Sequence, residues 1–126
     1  MDIHPSAVIE EGAVIGEGCQ IGPFCYVGPE VILGKNNVLH SHVVLDGRTE
    51  IGDENVFFSF ACIGKKTQDQ KYTGGSPGVN IGSRNAFREY ATVHCATYHN
   101  DNTVIGDDCL IQAYCHIAHD CQLGNH

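Results

Sequence analysis

The densest run of side chains able to handle a proton is Tyr114-Cys115-His116-Ile117-Ala118-His119-Asp120. Histidine gains and loses its proton near neutral pH, and an adjacent carboxylate fixes its tautomer and supports its protonated form. His119 followed by Asp120 therefore has the chemistry of a general base with its own orienting acid, and His116 stands three positions before it. Upstream, His94 and His99 are five apart. Three neutral imidazoles drawn from His94, His99 and His116 would suit a zinc ion with an open fourth position. Cys62, Cys95 and the other thiols show no Cys-x-x-Cys spacing, which argues against a structural zinc site. A third polar group, Gln68-Asp69 with Lys71-Tyr72, combines a carboxylate and an amine in a polar stretch. Each of these groups also has the spacing of ordinary solvated surface, and spacing alone does not separate the two readings.

The framework that must position them is a strict repeat. An aliphatic or Phe residue recurs every six residues from Ile3 through Ile9, Ile15 and Ile21 to Phe57 and Ile63. The same frame returns at Ile81, Phe87 and Val93, and again at Ile105, Ile111, Ile117 and Leu123. Neither a helix nor a plain strand has that period, whereas a hexapeptide solenoid, the parallel β-helix, does. A mostly small residue sits two positions before each aliphatic, and small–x–aliphatic is the alternation of a short strand with two inward side chains. Glycine often follows the aliphatic, as at Gly16, Gly34 and Gly64, where a corner needs unusual φ or close backbone packing. Three units close a triangular coil of eighteen residues, and the tract makes roughly six coils. Ile15, Ile21, Leu33 and Ile51 are expected to be buried, as are Cys19, Cys25, Cys109, Cys115 and Cys121 in the small inward place.

The frame fails between Lys65 and about Gly78, which reads as an extruded loop carrying Gln68, Asp69 and Lys71. A shorter failure at 98–102, with His99 in the aliphatic place, reads as a minor corner loop or a tolerated substitution. If the count of six runs unbroken from Ile81, Val93 stacks with Ile111 and Ile117 lies on the next face. His94 and His119 then occupy different corners. His116 points outward, and His119 and Asp120 fall on the following corner.

Residues 1–126 form one domain. The formal net charge is −8, and no basic residue follows Arg88, so nucleic acid and anionic membrane are unsuited partners. No apolar run is long enough to span a membrane, and the N-terminus has no signal-peptide pattern. Seven cysteines, an odd number, argue against a disulfide framework and fit a reducing cytoplasm. Outward aliphatics at Val8, Val14, Ile32, Val38, Val44 and Val56, with Tyr26, predict a covered face and a parallel homotrimer. The chain stops just after Leu123 and Gly124 begin another corner, with no capping element, so a truncated solenoid, or one capped by another chain, is expected.

The stretches Ile3–Gly16, Ile21–Pro29, Ser41–Gly52, Thr67–Tyr72, Ile81–His94 and Ala113–Asn125 resemble the N-terminal half of the acyl-[acyl carrier protein]–UDP-N-acetylglucosamine O-acyltransferase family of lipid A biosynthesis. The most specific element is HIAHD after a QDxKY loop and a TVH corner. The resemblance implies an all-β, left-handed parallel β-helix that trimerises with its sites between subunits. Left-handedness runs against the usual crossover rule and comes from the resemblance alone. It further implies a cytoplasmic enzyme without cofactor or metal, whose partners are acyl carrier protein and UDP-N-acetylglucosamine. Residue by residue, it makes His119 the general base and Asp120 its support, with Gln68, Asp69, Lys71, His94 and His116 as substrate-binding residues. Family members continue for several more coils and a helical domain, which hold the oxyanion donor and the basic residues for diphosphate and carrier protein. Two alternatives stay open: a non-catalytic trimeric β-helix fragment or scaffold, and a zinc-dependent protein like the hexapeptide carbonic anhydrases.

Overall fold

The computed structural model describes residues 2–65, 78–97, 101–118 and 121–125, and all regular structure in them is short strand. The strands of the first three coils are β1 (Asp2–Ile3), β2 (Val8–Ile9), β3 (Val14–Ile15), β4 (Gln20–Ile21), β5 (Tyr26–Val27), β6 (Ile32–Leu33), β7 (Val38–Leu39), β8 (Val44–Leu45) and β9 (Arg48–Ile51). The next three coils carry β10 (Val56–Phe57), β11 (Cys62–Lys65), β12 (Gly78–Ile81), β13 (Ala86–Phe87), β14 (Thr92–His94), β15 (Asn102–Ile105), β16 (Leu110–Ile111), β17 (His116–Ile117) and β18 (Gln122–Leu123).

Every third strand joins the same sheet. The orders are β1-β4-β7-β10-β13-β16 for face A, β2-β5-β8-β11-β14-β17 for face B and β3-β6-β9-β12-β15-β18 for face C, with all pairings parallel. The result is a six-coil, left-handed parallel β-helix of triangular section. Two-residue strands suffice because each coil repeats the last in register, as in Asp2↔Gln20 and Ile3↔Ile21, so every strand of the inner coils borrows its hydrogen bonds from the coils on either side.

The six-residue frame lines the prism axis. Phe57 and Phe87 are fully buried and stack with centroids 4.9 Å apart, and Ile21, Leu33 and Ile51 are buried as the frame predicts. Ile15 is only partly buried, contrary to expectation, because β3 belongs to the first coil and has a strand neighbour on one side only. Cys19, Cys25 and Cys109 are buried in the small place, but Cys115 is exposed and Cys121 half-buried: all of the sixth coil has a strand neighbour on one side only, and there Cys109 is covered through its thiol's contact with the Gly124 carbonyl. All seven cysteines are free thiols.

The small place also holds three residues that the hydrophobic pattern does not pick out. Asn37, Asn55 and Asn85 are buried in one column. Asn55 donates from Nδ2 to the Gly82 carbonyl and to Asn37 Oδ1, while its Oδ1 accepts from the Asn85 N–H. The column thus converts a buried polar liability into a satisfied ladder.

Glycine after the aliphatic mostly answers to crowding rather than to φ. A Cβ on Gly34 would lie 2.5 Å from the Gly52 carbonyl oxygen of the next coil. Gly64 is the exception, with φ of 85°. Elsewhere the left-handed conformation falls on Gly12, Gly18 and Gly47 and on side-chain-bearing corner residues such as Phe24, His42, Phe60, Tyr90 and Tyr114.

The two excursions leave the coil at one corner. Val56 pairs with Ala86, thirty positions on, where undisturbed coils pair at eighteen, so the segment between β11 and β12 inserts twelve residues. Thr92 pairs with His116, twenty-four positions on, so the segment between β14 and β15 inserts six. This second insertion corrects the unbroken count. It is a full extra unit, and Val93 stacks with Ile117, while Ile111 pairs with Phe87.

Candidate active site on the B–C corner

The chain turns from face B to face C once per coil, and beside that corner lie the two described histidines singled out in the sequence, His94 at the end of β14 and His116 in β17. In the fourth coil a bulge at Gly64 shifts the register, so that Ile63 pairs with Val93 but Lys65 pairs with His94. The bulge lies just before the chain leaves β11 for the larger excursion. Cys95 holds it from inside: its N–H donates to the Lys65 carbonyl at 2.8 Å and its thiol to the Gly64 carbonyl at 3.0 Å. The returning ends are tied together as well. The Gly78 N–H donates to the Asp101 carbonyl at 2.9 Å, and the Ala96 N–H donates to the Gly78 carbonyl at 3.3 Å.

Burial pushes the Cys95 thiol up to about 11, so this sulfur is a neutral packing group at physiological pH and not a nucleophile. Burial likewise raises the outward Cys62 thiol, against the opposing pull of Lys65. Lys65 itself is exposed and pairs with Asp46, Nζ to Oδ2 at 3.3 Å. Such an exposed pair contributes little to stability but keeps an ammonium at the mouth of the corner.

Above this point stand the two histidines. Thr92 and His116 are direct partners on adjacent strands and both point outward. The Thr92 hydroxyl and His116 Nδ1 are 2.7 Å apart. The His94 ring meets the His116 ring edge-on, with centroids 4.6 Å apart and an interplanar angle of 74°. Such T-shaped contacts are favourable for π-systems. His116 is exposed and His94 half-buried. One imidazole is thus gripped at Nδ1 and on its flank while its other nitrogen remains available for chemistry.

Of the residues proposed from sequence, His94 and His116 come together. Gln68, Asp69, Lys71, His99, His119 and Asp120 lie outside the described residues. The corner that brackets the last pair is closed by the Cys121 N–H donating to the Ala118 carbonyl at 3.3 Å. Among the described residues no three ligand-type side chains converge in a way that would hold a metal ion. Sequence reasoning missed Thr92, Lys65 and the Gly64 bulge. Thr92 is detectable only once the six-residue insertion is recognised, because that insertion sets which strand His116 faces. No described helix is long and apolar enough to cross a membrane.

The repeat pattern of bacterial transferase hexapeptide proteins (six repeats) matches residues 3–29, 12–47 and 102–126. Over 88 residues, 69% of the chain, the sequence is 51% identical to an acyl-[acyl-carrier-protein]–UDP-N-acetylglucosamine O-acyltransferase from Thermodesulfovibrio yellowstonii, of which the match covers 34%. Solved LpxA structures superpose closely. That of Acinetobacter baumannii has a TM-score of 0.95 at 45% identity, covering 98% of this chain and 48% of that one. The UDP-N-acetylglucosamine O-acyltransferase of Moraxella catarrhalis also gives 0.95, at 42% identity, covering 98% and 49%. The chain therefore spans about a third of its curated relative and about half of each solved one, and within them it corresponds to the N-terminal half.

Proposed function

Because the chain belongs to the bacterial transferase hexapeptide family, we propose that its B–C corner serves transfer of a fatty acyl group from acyl carrier protein to the 3-hydroxyl of UDP-N-acetylglucosamine. Its relatives carry O-acyl transfer to UDP-N-acetylglucosamine in their names. The observation that carries the reading is the contact of His94 with His116 beside Thr92, on the one corner where the repeat is interrupted.

In this reaction the 3-hydroxyl oxygen attacks the thioester carbonyl while its proton passes to the imidazole of His119. The carbon–sulfur bond then breaks and the carrier thiol leaves with that proton. A positioned base of this kind contributes roughly 10²–10⁴-fold. Asp120 orients and supports the imidazolium as carboxylates do in other acyl transfers. His94 and His116 contact the nucleotide sugar together with Gln68, Asp69 and Lys71, and no cofactor or metal takes part. The partners are acyl carrier protein and, through the exposed Val8, Val14 and Ile32, further copies of the chain in a parallel homotrimer. The seven free thiols suit a reducing cytoplasm.

The test is direct. Titration with UDP-N-acetylglucosamine should give saturable binding that His116→Ala weakens, and in an assay with an acyl carrier protein thioester these 126 residues should turn over little beside a longer form of the chain. Light scattering should show a trimer at micromolar concentration. Absence of nucleotide-sugar binding by a folded trimer would favour the scaffold reading instead.

A further inference from the structure

We propose that Thr92 is a positioning residue that holds His116 in a single tautomer, Nδ1 unprotonated and Nε2 carrying the proton. The assignment of the ring to ligand contact rests on the function proposed above, whereas the hydrogen bond itself does not. Three features of the fold support it. Thr92 and His116 are register partners, so hydroxyl and ring leave neighbouring strands on the same face, and they meet at 2.7 Å. β17 is the terminal strand of its sheet among the described residues, so the ring has a strand neighbour on one side only. His94 closes the flank with its edge-on contact. The ring is thereby fixed by a hydroxyl and an imidazole edge, both from β14.

A neutral imidazole has one N–H donor and one acceptor nitrogen, and the partner of one fixes the role of the other. Among the hydrogen bonds formed by described residues, the Thr92 hydroxyl has His116 Nδ1 as its partner. The Thr92 hydroxyl can donate or accept, and in the proposed arrangement it donates and Nδ1 accepts. Nε2–H is then presented outward as a hydrogen-bond donor. This makes His116 suited to an oxygen acceptor on the ligand, a carbonyl, hydroxyl or phosphate oxygen, and unsuited to act as a base. His116 would accordingly be a donor, distinct from the proton-accepting role proposed above for His119.

The experiment is long-range proton–nitrogen NMR on the histidine-labelled 126-residue chain, with His116→Ala to assign the ring. The wild-type ring should show one neutral tautomer, protonated at Nε2. Thr92→Val, which keeps the side-chain shape and removes the hydroxyl, should give an averaged pair of tautomers and weaken UDP-N-acetylglucosamine binding about twofold to tenfold, the range of one hydrogen bond. Thr92→Ser should restore both. An unchanged His116 spectrum in Thr92→Val, or a wild-type ring protonated at Nδ1, overturns the proposal. A spectrum that shifts as expected in a folded chain with no affinity for the nucleotide sugar supports the hydrogen bond's role and removes the proposed function instead.

Discussion

Two edges of the same prism were built to different rules. From face A to face B the chain turns in the same six residues in every coil, and five rings stack along that edge: Phe24, His42, Phe60, Tyr90 and Tyr114, with centroids 4.9–5.1 Å apart. Each ring sits on a residue with φ between 58° and 68°. A side chain in that conformation costs free energy, and ring stacking offsets it. From face B to face C the spacing is broken twice, no such stack forms among the described residues, and two histidines, a lysine and a backbone bulge gather instead. A repeat is most stable where every coil copies the last. Chemistry needs different residues at one height, and the proposed site accordingly lies on the edge where copying stops.

If that division holds, the largest effect should come from the B–C edge with the fold untouched. His119→Ala should lower kcat roughly 10²–10⁴-fold in an acyl-transfer assay, with an unchanged thermal midpoint. Asp120→Asn should cost less, because it supports the ring without exchanging the proton itself. A stability loss equal to that of a core variant would place His119 in the framework and erase the contrast.

The third edge, C to A, offers the converse. Asn55→Ala should destabilise by about 1–3 kcal/mol, since it leaves the buried Asn85 N–H without its partner and removes one of the two donors to the Gly82 carbonyl. Nucleotide-sugar affinity should not move, as read by calorimetry at a temperature where the variant is folded. A destabilisation below about 0.5 kcal/mol would mean that water replaces the ladder.

The six-residue frame made most of this legible: the three faces, the buried aliphatics and the twelve-residue excursion, whose polar run has no inward residues. It concealed the second excursion for a simple reason. An insertion of six leaves the phase of a six-residue repeat intact, so Ile105, Ile111 and Ile117 still fall in frame while every face assignment moves by one. His94 therefore looked distant from the His116 strand although the two rings touch. Asn37, Asn55 and Asn85 escaped because the inward place was recognised by small apolar residues, and a ladder of amides satisfies itself only in three dimensions. Ile15, Cys115 and Cys121 obey the pattern in direction, but their coils have a neighbour on one side only.

A smaller effect sharpens the A–B edge. Tyr90→Ala keeps the strained φ of 62° and loses both ring partners, Phe60 and Tyr114. It should cost about 1–2 kcal/mol in urea unfolding. Tyr90→Gly loses the same stacks but relieves the strain, and should cost less than Tyr90→Ala. If glycine proves the worse substitution, stacking is not what holds this edge in its conformation.

The smallest expected effect compares one thiol from each edge. Cys115, beside the A–B corner, is exposed, whereas Cys95 lies beneath the Gly64 bulge with its thiol raised from 9.0 to about 11 by burial. At pH 8 a thiol reagent should modify Cys115 and leave Cys95 unreacted in the folded protein. The raised value also predicts a pH dependence. Below pH 9 both folded and unfolded chains keep the Cys95 proton, and its contribution to stability is complete. Between pH 9 and about 11 the unfolded chain releases a proton that the folded chain retains, so stability falls as pH rises through that window. The slope from this one group should not exceed about 1.4 kcal/mol per pH unit. Other buried thiols titrate in the same direction, Cys25 and Cys109 among them, so the measurement is a difference. Urea midpoints of wild type and Cys95→Ala at pH 8, 9.5 and 11 should converge as pH rises. Curves that stay parallel would show that the bulge admits water to the sulfur and that the B–C edge is open beneath its histidines.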